Sequence, residues 1–318
     1  MSRTTPPLDE DRRPAGAAPR NGIEADTSRG VPASKPMPPG LYLTAVPIGN
    51  VRDITLRALD ALRDADAIAC EDTRTTAKLL SLHGIAAGSG RLIAYHDHNA
   101  ERVRPFLLDR IEGGDAVILV SDAGTPLVSD PGFKLVRDAH TRGLPVTALP
   151  GASAPTTGLQ LSGLPTDRFL FAGFPPSKSA ARRSFLGELT SIPATLVFFE
   201  SARRLAESLA DMAEMLGDRE AAVTRELTKL HEEVRRDRLS ALAVHYADAG
   251  PPKGEIVLVV GPPVAEAVAA DDLDSMLAEA LAGASVRDAA AAVAARTGKP
   301  KRDVYQRALA LSKAAADD

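Results

Sequence analysis

The sequence predicts an α/β protein of two domains, preceded by a disordered tail and followed by a small helical module. Three observations carry this. A chain of 318 residues with 44% apolar content exceeds one ordinary core and suffices for two domains plus an appendage. From residue 41, short apolar runs alternate with segments of helical period, the pattern of a mainly parallel sheet covered on both faces. The alternation breaks at Gly163-Leu164-Pro165 and then restarts.

In chain order, residues 1–40 hold eight of the 24 prolines together with Gly, Ser and scattered charges. Such a stretch buries too little apolar surface to offset its ordering entropy, so it reads as a disordered tail. Domain one, 41–162, has apolar runs at 41–46, 67–70, 92–94, 116–120 and 145–149. Candidate helices lie near 53–63, 74–83, 99–112, 132–142 and 152–162, with Gly84, Gly113, Gly143 and Gly163 at C-terminal cap positions. Domain two, 163–263, is a smaller α/β unit with runs at 169–172, 195–199, 221–224 and 256–260 and helices near 178–189 and 202–216. Residues 264–274, rich in Ala and acidic residues, read as a linker. Residues 275–318 read as three short helices, with Ser285 and Asp288 forming a capping box.

Bulk chemistry narrows the functions. The net charge of −4 gives no global pull toward nucleic acid, so any such contact must be local. Aromatic content of 4% and no Trp argue against base-stacking platforms as the dominant grip. One local patch stands out: between 285 and 313 there are seven Lys or Arg against two Asp. It reads as a phosphate contact or as a solvated helical tail. The single Cys70 precludes an intramolecular disulfide framework and fits an intracellular setting; ending an apolar run, it reads as core. No apolar run reaches the roughly 18 residues of a membrane span, and the N-terminus lacks the apolar stretch of a secretory signal.

Dinucleotide, P-loop and H-E-x-x-H signatures are absent. His96-Asp97-His98 offers two ligands without a third and reads as a non-metal feature, so no metal is expected. Four loops fall on one expected sheet edge, where ligands of open α/β sheets bind. They are Val46-Pro47-Ile48-Gly49-Asn50, Glu71-Asp72-Thr73-Arg74, the segment from Ser121 to Gly132, and Pro150-Gly151-Ala152-Ser153-Ala154. In the third, Asp122 and neighbouring hydroxyls suit amino and ribose groups, Gly124 permits close backbone approach, and Pro126 fixes the chain. An ordinary turn with Asx hydrogen bonds is the alternative for that loop.

These motifs in this order, P-I-G-N-x-x-D, E-D-T-R, H-D-H-N, S-D-A-G-T-P-x-x-x-D-P-G and P-G-x-x-A, resemble the tetrapyrrole methylase superfamily, in particular its ribosomal RNA branch. The similarity continues through Gly163-Leu164-Pro165, Gly173-Phe174, Arg225-Glu226-Leu227-Thr228-Lys229 and Lys253-Gly254-Glu255. The resemblance implies a class III methyltransferase fold with S-adenosylmethionine in the cleft between two α/β domains, a homodimer, and a small C-terminal domain facing RNA. It implies 2′-O-methylation of a cytidine in the decoding region of 16S rRNA by a cytoplasmic enzyme acting on the small ribosomal subunit. By similarity the cofactor would meet Pro47, Ile48, Gly124, Thr125, Pro126, Val128, Ser153, Ala154, Leu196 and Gly254. Glu200-Ser201-Ala202-Arg203-Arg204 stands where the family often has Glu-Ser-x-His-Arg, so no role for a His carries over.

A ribose hydroxyl is a poor nucleophile and benefits from a general base or a nearby cation. Glu71, Asp72, Arg74, His96, Asp97 and Glu226 are candidates, with the Glu71-Asp72-Arg74 cluster favoured because it follows a buried strand. A carboxylate beside Arg has a lowered pKa, which suits orientation more than proton abstraction; a plain helix-start salt bridge is the alternative. Arg225, Lys229, Lys299, Lys301 and Arg302 are candidate RNA contacts, as are Lys178, Arg182 and Arg183; for each the alternative is a solvated charged face. Phe198-Phe199 reads as core. Rival functions are a tetrapyrrole C-methyltransferase and a ribosome-binding protein without catalysis.

Overall fold

The computed structural model describes residues 37–263, 270–297 and 299–317. Buried β-branched and small residues dictate the first sheet. Strands β1 (Gly40–Thr44), β2 (Ala67–Cys70), β3 (Leu92–Ala94), β4 (Ala116–Val120) and β5 (Val146–Leu149) are all parallel, in the order β3-β2-β4-β1-β5. All residues of β2 and β4 are buried, because both sheet faces are covered. On one face Ala67, Ala69, Val117 and Leu119 pack with Leu107, Ile111, Leu135 and Ala139 of helices α3 (Ala100–Glu112) and α4 (Phe133–Thr141). On the other, Ile68, Cys70, Ile118 and Val120 pack with Ala61, Leu62 and Leu80 of α1 (Leu56–Asp64) and α2 (Thr73–Leu82). Cys70 is core as expected; burial raises its thiol pKa.

The chain leaves the parallel neighbours β1 and β4 toward opposite faces of the sheet, to α1 and α4, which opens a crevice at their carboxyl ends. The loops leaving them are joined there by reciprocal backbone bonds, Val46 N to Gly124 O (2.9 Å) and Gly124 N to Val46 O (3.0 Å).

The second sheet departs from the expected alternation. Its strands β6 (Phe169–Phe171), β7 (Thr195–Ser201), β8 (Glu220–Arg225), β9 (Glu233–Arg238) and β10 (Glu255–Val260) run in the order β6-β7-β10-β8-β9. Only the β6–β7 pair is parallel. The sequence reading lacks β9, an exposed edge strand of the charged sequence EVRRDR, whose composition hides a strand that buries no face. It also lacks α8 (Leu239–Ala249), which buries Leu239, Leu242 and Tyr246. Helices α6 (Ser179–Leu189), α7 (Leu205–Leu216) and α8 cover one face of this sheet.

The opposite face is covered from the first half of the chain. Helix α5 (Ala154–Ser162), assigned above to domain one, lies on the second sheet, where Leu159 packs with Val197, Ala222, Val257 and Val259. Gly158 makes this approach possible: a Cβ there would stand 2.9 Å from Val257 Cγ1 and 3.0 Å from Thr224 Oγ1. Arg236 donates from Nε to Ser162 O (2.8 Å) and also bonds Leu161 O, satisfying the end of the helix.

The last three helices, α9 (Ala270–Leu281), α10 (Val286–Thr297) and α11 (Lys301–Asp317), enclose their own core of Leu273, Leu277, Ala290, Val293, Val304 and Ala308. Of the expected capping box the Ser285 half forms: Ser285 Oγ accepts from Asp288 N (3.2 Å) and donates to Asp288 Oδ2 (2.7 Å). Of the expected linker 264–274, residues 264–269 lie outside the described residues and 270–274 are helical, held by burial of Leu273 one turn before Leu277. The expected tail lies outside the described residues up to 36; Met37 packs on the first core, and Tyr42 OH donates to Pro38 O (2.8 Å). Among the described residues no helix is long and apolar enough to cross a membrane.

Replacing Gly158 by Leu overfills a closed interface. The expected loss is about 1–3 kcal/mol of unfolding free energy, read by urea denaturation; an unchanged midpoint would show that α5 is free to lift off the sheet.

Candidate active site in the interlobe cleft

A cavity of about 520 Å³ opens at the crevice. The first lobe contributes Ile48, Gly124, Thr125, Val128, Ser153 and Ala154; the second contributes Phe174, Phe199, Leu227 and Gly254. Its shape comes from backbone that few side chains tolerate. In the loop after β4, Gly124 (φ 75°), Leu127 (φ 73°) and Ser129 (φ 66°) all take left-handed conformations, which for non-glycine residues costs roughly 1–2 kcal/mol each. Such strain is held by surrounding contacts and concentrates at functional sites. Thr125 Oγ1 donates to Ala152 O (3.0 Å), tying this loop to the one after β5.

The two lobes meet through the Leu227-Thr228-Lys229 turn. A Cβ on Gly49 would lie 2.5 Å from Lys229 Cγ and 2.9 Å from Leu227 O, and Asn50 N donates to Thr228 Oγ1 (3.0 Å). Glu226 (φ 51°) and Thr228 (φ 65°) are also left-handed. Glu226 Oε1 accepts from Lys229 Nζ (2.8 Å) and Glu255 N (3.1 Å), and a Cβ on Gly254 would overlap that carboxylate. These charged bonds hold the Glu226 pKa below the ordinary range, the Lys229 hydrogen bond foremost.

Seven expected cofactor residues, Ile48, Gly124, Thr125, Val128, Ser153, Ala154 and Gly254, line the cavity together. Pro47, Asp122 and Pro126 sit in the same loops but outside its lining. Leu196 is fully buried in the core beneath α6–α8, because alternation along β7 turns Val197 and Phe199 toward the cleft side and Leu196 and Phe198 away. The expectation that Phe198-Phe199 is core thus holds for Phe198 alone; Phe199 lines the cleft beside Phe171 and Phe174, with ring centroids 4.9 and 5.2 Å away. The wall formed by Phe174, Phe199 and residues 200–203 carried no site assignment in the sequence reading. Its signal was the Gly173-Phe174 match and the segment Glu200–Arg204 that departs from the family pattern; which of their side chains face the cleft depends on strand parity.

The Glu71-Asp72-Arg74 cluster divides. Asp72 Oδ1 caps α2 by accepting from Arg74 N (2.8 Å), and its Oδ2 pairs with Arg74 Nη2 (2.6 Å). Hydrogen bonding from Arg74 pulls the Asp72 pKa down to about 2, and the Arg74 side chain is 90% exposed. This pair is a helix-start cap, the alternative reading given above. Glu71 differs. It lines a second, open cavity with His96, His98 and Asp122. Its pKa is raised by burial first, then by the negative charges of Asp122, Asp130 and Asp97. Asp130, on the wall of the main cleft, is likewise raised, mainly by burial.

Several expected RNA contacts have their charge taken up internally. Arg225 pairs with Glu233 (2.8 Å) and donates to Lys253 O (2.9 Å). Lys229 bonds Glu226 and Glu255, Arg182 is buried against Asp211 (2.6 Å), and Arg183 pairs with Glu214. By contrast Lys301 and Arg302 are exposed at the start of α11, beside a groove shared with Arg287 and Tyr305, and Lys299 is half-buried just before them.

Comparison with known proteins agrees with this architecture. Residues 40–243 match the family described as Tetrapyrrole (Corrin/Porphyrin) Methylases, and residues 266–312 match the RsmI C-terminal HTH domain. Ribosomal RNA small subunit methyltransferase I of Mesorhizobium japonicum is 52% identical over 282 residues, covering 88% of this chain and 95% of that protein. The protein of the same name from Erythrobacter litoralis is 53% identical over 279 residues, covering 88% and 98%. Among solved structures, diphthine synthase shares the fold with a TM-score of 0.55 at 22% identity, covering 70% of this chain and 89% of that one. With the five-stranded parallel lobe, the mixed second lobe and the helical module all accounted for, the chain belongs to the tetrapyrrole methylase family, within its ribosomal RNA small subunit methyltransferase I group.

Proposed function

We propose that the protein transfers a methyl group from S-adenosylmethionine to the ribose 2′-hydroxyl of a cytidine in the decoding region of 16S rRNA. The observation that carries this is the interlobe cleft, where seven residues picked out by motif converge on one cavity of about 520 Å³, within the usual range of small-ligand sites. The lining suits such a donor. Ile48, Val128, Leu227 and Phe199 offer apolar surface, Thr125 and Ser153 offer hydroxyls, and Gly124 and Gly254 leave backbone open where a side chain would intrude. Pro47, Asp122 and Pro126 shape the loops, and Leu196 supports the wall from behind. When bound, S-adenosylmethionine supplies a methyl group already activated on a sulfonium.

The chain must align the ribose oxygen and receive its proton. Glu71 is the base in this reading: burial and neighbouring carboxylates raise its pKa, which strengthens a carboxylate as a proton acceptor. Asp72 and Arg74 serve by anchoring the residue after Glu71 to the start of α2. Incubation with labelled S-adenosylmethionine and small subunits is expected to label ribose in 16S rRNA; no label in RNA would reject the reading. Since only unprotonated Glu71 accepts a proton, kcat/KM is expected to rise with pH through a pKa above the usual carboxylate range. Glu71→Gln is expected to lower kcat about 10²- to 10⁴-fold and to remove that acidic limb, with donor affinity by calorimetry unchanged.

The helical module serves as the RNA grip, through Lys301 and Arg302 with Lys299 beside them; Arg225 and Lys229 act instead as scaffolding for the cleft. Combined Lys301→Ala and Arg302→Ala changes are expected to weaken small-subunit binding and to lower the salt slope by about one per lost phosphate contact. An unaltered slope would place the RNA contact elsewhere.

The reading carries with it a cytoplasmic location and a homodimer. Sedimentation equilibrium is expected to return twice the chain mass; the mass of one chain would overturn the dimer.

A further inference from the structure

A third cavity, of about 390 Å³, lies between α3 and the start of α4. It adjoins both sites already described. Asp130 lines it and the main cleft, and His98 lines it and the Glu71 cavity. Its other walls include Tyr95, Glu101, Arg104, Phe133 and Lys134, none of which has a part in the chemistry above.

Three features point to a planar polar ligand. Phe133 is 68% exposed at the head of α4 and its ring forms part of the cavity wall. Arg137 stands 5.9 Å from the ring centroid. Second, Arg104 lines the cavity with its guanidinium fixed by the Nε bond to Asp138 (2.7 Å), so it is already oriented for a ligand acceptor. Third, Glu101 lies one helical turn before Arg104 and lines the same cavity, 80% exposed and only loosely paired with Lys134 (3.6 Å).

We propose that this cavity seats the target nucleotide, with Phe133 stacking the unstacked base and Glu101 and Arg104 reading the Watson–Crick edge of cytosine. Cytosine presents one amino donor and two acceptors along that edge. A carboxylate beside a guanidinium is the complementary set. Uracil, with a carbonyl in place of the amino group, would set an acceptor against the Glu101 carboxylate. Lys134 at the mouth suits a backbone phosphate. Because the cavity shares Asp130 with the cleft and His98 with the Glu71 cavity, a nucleotide seated in it would have its ribose within reach of both. This inference rests on the function proposed above.

The test first maps the position methylated by the full-length protein, then uses reconstituted small subunits with cytidine or uridine there. The unmodified protein is expected to prefer cytidine. Glu101→Gln, whose amide can donate or accept, is expected to reduce that preference about tenfold. Phe133→Ala is expected to raise KM for subunits about tenfold. Both side chains are largely exposed, and calorimetry with S-adenosylmethionine is expected to show unchanged donor affinity. An intact cytidine preference in Glu101→Gln, or an unchanged KM in Phe133→Ala, would overturn the pocket while leaving the methyltransferase reading in place. Failure of the unmodified protein to label either RNA would overturn both.

Discussion

The cleft depends on two backbones being allowed to touch. Gly49 brings the loop after β1 against the Leu227-Thr228-Lys229 turn, and Gly254 gives the Glu226 carboxylate room beneath it. The carboxylate, held by Lys229 and the Glu255 amide, keeps the turn in its left-handed path. Together with α5 and the packing of Ile48 on the second sheet, these contacts fix the spacing of the two halves of the cavity wall. Small residues at contact points and a charged clasp behind them thus do for the cleft what a covalent link would do, while leaving its walls free for a ligand.

The first lobe was legible because its central strands β2 and β4 are buried on both faces. Runs such as 67–70, 92–94 and 116–120 coincide with β2, β3 and β4, and their shortness and regular alternation with helical segments mark them as strands of a covered parallel sheet. The second lobe was less legible. β9 carries the charges of an edge strand, and α5 buries its face on a sheet formed by residues far along the chain, so neither signals its role locally. The site shows the same division. Loops that bind through backbone and glycine, at Gly124, Ser153 and Gly254, leave a motif. Side chains that face the cleft by strand parity leave none, which is why Leu196 and Phe199 exchange places relative to the sequence reading.

Charge count was also a poor guide to charge availability. Arg225, Lys229, Arg182 and Arg183 are all written into the sequence as cations, yet each has a carboxylate partner within the fold. A basic side chain already neutralised offers little to a phosphate. Of the candidates left over, Lys178 stands exposed at the start of α6, while Lys299, Lys301 and Arg302 sit on a module with its own core, so the same acidic protein can carry a local positive face without disturbing the catalytic lobes. Among the acids a comparable sorting separates Asp72, tied to Arg74, from Glu71 and Asp130, which keep protons more readily because burial and like charges surround them.

The exposed strand β9 has a consequence for assembly. It ends the second sheet with Arg235, Arg236, Asp237 and Arg238 in succession, and Arg236 is turned inward to hold the end of α5. A neighbouring polypeptide seeking to extend the sheet would have to desolvate that row of ionic groups and displace Arg236 from the carbonyls it serves. That margin of the second sheet is therefore guarded against strand addition.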